Sequence, residues 1–147
     1  MRRRYAGRIS LLVGFEAEFI RPDSYAPLAT TLAADPRVDV VVGSLHHVRG
    51  VPIDFNRDMY QAALAKVAAT PSEGDGDDPE ARLWLAYYDE QHAMLTALRP
   101  KVVGHFDLVR LLSADPARDP RTWPRVLPAV AERFTTRSAA IPKFWPA

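Results

Sequence analysis

Apolar and polar stretches alternate along the chain in a way that predicts strands and helices in turn. ISLLVGFEAEFI, from Ile9 to Ile20, is a strand-length apolar run that ends in acidic residues. DSYAPLATTLAAD follows, with Asp23 or Ser24 placed to cap a short helix. VDVVVGSLHHV opens on valines, the composition of a strand buried on both faces, as in a parallel sheet. NRDMYQAALAKVAA is helical in composition, and TPSEGDGDDPE is an acidic, linker-like loop bearing Gly and Pro. Asp78-Pro79-Glu80 then places an N-cap, a first-position proline and a first-turn acid at the start of a helix. Trp84, Tyr87, Tyr88, Gln91, Leu95 and Leu98 follow helical spacing and predict one largely apolar face. Arg99-Pro100 ends that helix, and KVVGHFDLVRLL is a third strand-like run.

The order strand, helix, strand, helix, helix, strand implies parallel β/α units, hence an α/β fold. After Ser113 the texture changes. Pro116, Pro120, Pro124, Pro128, Pro142 and Pro146 interrupt the rest, leaving room for one short helix around Arg125 to Phe134 and a loose tail, TTRSAAIPKFWPA. Residues 1–113 therefore read as three β/α units. Residues 114–147 read as a Pro-rich C-terminal segment, part of the same domain or loosely ordered.

Composition narrows the picture. The 147 residues suffice for one domain with a real core, and 48% hydrophobic with 25% charged residues is ordinary for a globular protein. A net charge of +1 gives no global field for nucleic acid or a membrane surface. No apolar run approaches the roughly 20 residues of a spanning helix. The absence of cysteine excludes disulfides and thiolate metal sites, and fits a reducing cytoplasm. The Arg-rich start, MRRRYAGR, lacks an apolar segment for targeting and reads as a solvated turn.

Chemistry collects where the strand-like runs end. The first ends in GFEAE with Glu16 and Glu18, the second in GSLHH with His46 and His47, the third in GHFD with His105 and Asp107. Any one of these alone reads as a solvated acid or a hydrogen-bonded core histidine. Three together, each just after a glycine, point to a site at the carboxyl ends of parallel strands. Carboxylate plus imidazole is a ligand set for Zn, Mn or Fe. Adjacent His46 and His47 cannot both enter one site if the strand stays regular, because side chains alternate. Asp107 falls on the same side as His105 if that strand continues. Arg110 offers a guanidinium fork for phosphate, with a surface arginine as the competing reading. Glu18 reads as sharing a face with Glu16 or facing solvent. Asp54 and Arg21 are weaker candidates, His92 reads as surface, and Trp84, Tyr87 and Tyr88 as core.

VGFEAEFIRP, VVGSLHHVRGVPIDF and YYDEQHAMLTALRPKVVGHFDLVRLLS together resemble the histidinol-phosphatase branch of the PHP (polymerase and histidinol phosphatase) superfamily, especially its fungal-type members. The resemblance runs from about Tyr5 to Ser113. It implies a partial PHP domain over residues 1–113: part of a distorted, TIM-like β/α barrel with parallel strands, flanking helices and a metal cluster at the strand ends. It implies hydrolysis of L-histidinol phosphate, a small phosphate ester, in histidine biosynthesis. It matches Glu16 to a metal-bridging glutamate, and His46 and His105 to histidine ligands. His47 is left for substrate contact or the strand end. Asp107 then orients a ligand or meets the substrate amine, and Arg110 binds phosphate. Ligand histidines must be neutral, so activity should fall in acid.

The family also carries a His-x-His pair on its first strand and an Asp-x-His pair on its last, and neither pair is found in this sequence. The expectation is a chain truncated at both ends relative to the family, with an incomplete ion cluster and weak activity. Two other readings stand beside it: a different PHP-type phosphoesterase, or an inactive relic. Oligomeric state is not legible.

Overall fold

The computed structural model describes residues 7–69, 78–118 and Ala131. Strand β1 (Gly14–Glu18) leads into helix α1 (Pro22–Ala33), strand β2 (Val40–Ser44), a hairpin of β3 (His47–Val48) and β4 (Val51–Pro52), helices α2 (Arg57–Ala68) and α3 (Pro79–Leu98), and strand β5 (Val102–Val103). A 3-10 turn at Leu108–Arg110 follows. The strands β1, β2 and β5 form a parallel sheet in the order β1-β2-β5. Gly14 pairs with Val40 and Glu18 with Ser44; Val42 pairs with Val102 and Gly43 with Val103. The α/β class with parallel strands is as the alternation predicts, and the described residues form an open three-stranded sheet.

Several boundaries differ from the expectation. The first strand is only the second half of the Ile9–Ile20 run, since Ile9, Leu12 and Val13 lie exposed before Gly14. Pairing starts only where β2 arrives: the Val13 carbonyl accepts from Asp39 and Val40, and the Asp39 carboxylate accepts the Val13 N–H at 2.7 Å. Helix α1 begins a residue before the predicted caps, with Arg21 at the N-cap, no side-chain cap bond, and Pro22 in the first turn. Proline fits there because its missing N–H would be unpaired anyway. The third strand is two residues long, because its chain leaves the sheet at Gly104.

Helix α3 starts and stops as its residues dictate. Asp78 Oδ1 accepts from the Glu80 N–H at 3.0 Å and the Ala81 N–H at 3.4 Å. Arg99 closes the helix in the left-handed region, φ 45°, and Pro100 prevents continuation. Its burial exceeds the one-face expectation: every residue from Leu83 to Tyr88 is buried. The reason is its central place, packed against α1, α2, β2, β3 and the 3-10 turn. Trp84, Tyr87, Leu83 and Met94 join Leu45, Val48, Ile53 and Tyr60 in one core. Gly43 belongs to this packing. A Cβ there would meet Met94 Sδ at 2.5 Å and Pro100 Cγ at 2.7 Å, so glycine is what lets β2 lie against the end of α3.

The hairpin was not anticipated. Its two-residue turn, Arg49-Gly50, has φ of 52° and 75°, as a type I′ turn requires. Arginine is an unfavourable first residue for such a turn, and Glu90 on α3 compensates by accepting the Arg49 N–H at 2.9 Å. Residues 114–118 fold back on the domain. Arg110 Nε and Nη2 donate to the carbonyls of Pro116 and Arg118, each at 3.1 Å. The Arg-rich start (1–6), most of the acidic loop (70–77), the predicted helix at 125–134 apart from Ala131, and the tail lie outside the described residues.

Candidate metal centre

The sheet topology decides which side chains meet. With β2 central, the chain leaving its carboxyl end lies between those of β1 and β5. Glu16 projects from the middle of β1, while His46 and His105 sit two residues beyond the ends of β2 and β5. Glu16 Oε1 lies 3.8 Å from His46 Nε2 and 3.7 Å from His105 Nε2. One ligand atom from each of the three residues falls within 4.8 Å of the others. The two imidazole rings stand 4.5 Å apart, tilted by 60°.

These distances are too long for hydrogen bonds and too short for indifference. Three donor atoms face one another across a gap that they do not close themselves. A divalent ion with ligand bonds of about 2.0–2.2 Å holds its ligands about 3.0–3.4 Å apart at octahedral to tetrahedral angles, so a closing of the three side chains on one another suits the triad to an ion. The donor set, one carboxylate and two imidazoles, fits the borderline divalent metals. Glu16 and His105 are exposed and His46 half-buried, so solvent and a small ligand reach the gap.

The backbone at His105 is unusual. Its φ is 28°, left-handed for a non-glycine residue. Such a conformation costs on the order of 1–2 kcal/mol and persists only where neighbours enforce it. Tyr87, buried on α3, donates its hydroxyl to the His105 carbonyl at 3.1 Å, and Gln91 Nε2 donates to the Tyr87 oxygen at 2.7 Å. Burial pushes the Tyr87 phenol upward, which keeps it a proton donor. Helix α3 thus grips the turn that carries His105.

Glu18 does not simply face solvent. Its Oε1 accepts the His46 backbone N–H at 3.1 Å and lies 3.2 Å from His47 Nδ1, while its Oε2 is hydrogen-bonded to His46 Nδ1. The alternation rule does not apply to the histidine pair, because β2 ends at Ser44 and β3 starts at His47. Both rings therefore approach the same carboxylate, and only His46 joins the triad.

Asp107 and Arg110 are not among the residues whose ligand atoms meet. The third strand ends before His105, so alternation does not carry Asp107 to its side; it is an exposed residue at the start of the 3-10 turn. Arg110 faces Asp107 Oδ2 at 3.7 Å, sits over the Trp84 ring and holds the carbonyls of Pro116 and Arg118. Arg21 donates to the Tyr25 hydroxyl at 3.2 Å, and His92 is half-buried on α3 rather than on the surface. Sequence reasoning named Glu18 without giving it a role at the site, and placed Tyr87 and Gln91 only on a packing face. The available signals were the two-residue spacing of Glu16 and Glu18, and a glutamine on an otherwise apolar helix face.

Fold and site together define a parallel α/β protein with a candidate divalent-metal triad toward the carboxyl ends of its strands. Sequence comparison gives this class a direction. The chain is 36% identical over 119 residues to the probable histidinol-phosphatase of Schizosaccharomyces pombe, a match covering 81% of this chain and 36% of that protein. It is 39% identical over 70 residues to the histidinol-phosphatase of Saccharomyces cerevisiae, covering 48% of this chain and 18% of that protein. The chain is thus homologous to part of these proteins and spans about a third of the longer match's full length. No family model matches it. No solved structure matches it either.

Proposed function

We propose that this chain forms part of a metal-dependent phosphomonoester hydrolase acting on L-histidinol phosphate, within a PHP-type β/α barrel. The observation that supports it most is the meeting of Glu16, His46 and His105 in a chain homologous to histidinol-phosphatases. Zn, Mn and Fe are the ions this donor set suits. When bound, the ion supplies Lewis-acid chemistry: it offsets phosphate charge and favours ionisation of water.

The chain's residues have separate tasks. Glu16 contributes the negative charge that draws a cation to the gap. His46 and His105 each turn Nε2 toward it as neutral donors, so metal loading falls in acid. The open, exposed side of the triad leaves room for a phosphate oxygen and water. Water adds to phosphorus, the P–O ester bond breaks, and the alcohol leaves with a proton. His47 and Asp107 are candidates for contacting the amino alcohol or its leaving group. Two of the five Arg110 guanidinium N–H groups already hold carbonyls, so its clasp of residues 116–118 is the better supported role.

Among the described residues three ligands hold one ion, and a two-ion clamp needs more. We therefore expect slow turnover by this chain, below about 1 per second. The test is phosphate release from L-histidinol phosphate with added Mn or Zn, beside a nucleoside monophosphate as competing substrate. Metal-dependent release that favours histidinol phosphate and disappears in Glu16→Gln supports the proposal. Release without metal, or preference for the nucleotide, contradicts it.

A further inference from the structure

We propose that Glu18 is the positioning residue of this centre: its carboxylate fixes His46 as the Nδ1–H tautomer, leaving Nε2 bare toward Glu16 and His105. The inference rests on the metal-site reading above, and it explains why two histidines stand side by side.

A neutral imidazole has one N–H and one bare nitrogen, and the partner of one nitrogen decides the state of the other. In the free side chain the proton favours Nε2, which is the wrong nitrogen for a ligand that must bind through Nε2. Glu18 reverses that preference. A carboxylate only accepts, so the Nδ1 facing Glu18 Oε2 carries the proton. The other oxygen, Oε1, holds the His46 backbone N–H at 3.1 Å. One carboxylate thus grips residue 46 at both main chain and ring, which fixes the ring's direction as well as its tautomer.

His47 completes the arrangement. Its Nδ1 lies 3.2 Å from Glu18 Oε1, so the carboxylate is held from a second side. The break between β2 and β3 makes this possible, because it lets consecutive side chains reach one acid. The pair is one candidate ligand and one brace for the acid that orients it. Register supports the same reading: Glu18 pairs with Ser44, two residues before His46, and Glu16 lies on the same face of β1. The two acids of GFEAE then have different tasks, Glu16 facing the ion site and Glu18 the back of the imidazole.

The test reads the tautomer directly and needs no substrate. Long-range proton–nitrogen correlation spectra of the metal-free full chain, at alkaline pH, report which nitrogen of His46 is protonated. The expected result is a protonated Nδ1 and a bare Nε2 in the wild type and in His47→Ala. Glu18→Ala should shift the proton to Nε2, and circular dichroism should show the fold retained. Zinc affinity by calorimetry should weaken about 10–100-fold in Glu18→Ala and Glu18→Gln. A wild-type His46 protonated on Nε2 overturns the proposal without any variant. So does a Glu18→Ala chain with unchanged tautomer and zinc affinity within twofold. The underlying reading fails differently: a wild type with the expected tautomer that binds no zinc keeps Glu18's role and removes the metal.

Discussion

Replacing Tyr87 by phenylalanine removes one oxygen atom from a buried site, and its cost follows from what that oxygen touches. The hydroxyl donates to the His105 carbonyl and accepts from Gln91 Nε2. The His105 carbonyl keeps a second donor, the Leu108 N–H at 3.2 Å, so it is not stranded. Gln91 is stranded. It is fully buried, and its Oε1 already has no hydrogen-bond partner among the described residues. The loss is therefore one hydrogen bond, about 1 kcal/mol, plus the cost of an unpaired buried amide, about 1–3 kcal/mol. A total of about 2–4 kcal/mol is expected, with the same sign in urea midpoint and melting temperature. The double variant Tyr87→Phe/Gln91→Leu removes both polar partners and should recover about 1–2 kcal/mol of that loss. Zinc affinity should fall in both variants, because the His105 turn has lost its brace. Equilibrium urea unfolding of the four proteins in this cycle is the assay. A Tyr87→Phe cost below about 0.5 kcal/mol, the scale of a plain surface change, refutes the account. So does a double variant whose cost equals the sum of the singles.

Three further outcomes are expected. His46→Ala should lower zinc content far more than His47→Ala, by metal analysis after gel filtration; equal losses would sink the assignment of His46. Burial raises the Glu90 carboxyl above its ordinary 4.5, opposed by the Arg49 N–H and charge. The folded state then holds this proton to higher pH than the unfolded chain, so its ionisation penalises the fold as pH rises from about 4.5 through the raised value. Glu90→Gln should gain stability relative to wild type across that window in urea unfolding, and a pH-independent difference would contradict it. Asp35 is held down to about 2 by its side-chain and backbone hydrogen bonds with Arg37, so Arg37→Ala should return it toward 3.8 in a carbon-detected titration.

What the sequence disclosed depended on the range of the interactions involved. The cap of α3 was legible because Asp78, Pro79 and Glu80 act within one turn. The valine-rich β2 and the parallel order followed from local composition and alternation. The meeting of Glu16, His46 and His105 could be anticipated because parallel strands bring their carboxyl ends to one side. The hairpin was missed because Arg49-Gly50 is a poor turn signal by itself and relies on Glu90, 41 residues away. Glu18 was undervalued for a similar reason: its partners lie 28 and 29 residues on, across a break between strands. The depth of α3 was underestimated because helical periodicity shows a face that must be covered, not how many neighbours will cover the others. The extended third strand failed at Gly104. A Cβ there would meet Ser44 Oγ at 2.4 Å, and the chain turns beyond this close approach.

The central claim is that one divalent ion is held by Glu16, His46 and His105. It is tested most directly by a crystal of the full chain grown with zinc, recorded above and below the zinc absorption edge. One strong anomalous peak is expected within about 2.0–2.2 Å of Glu16 Oε1, His46 Nε2 and His105 Nε2. A peak on His47 or Asp107 with the triad bare, or a triad without a peak at saturating zinc, would contradict it.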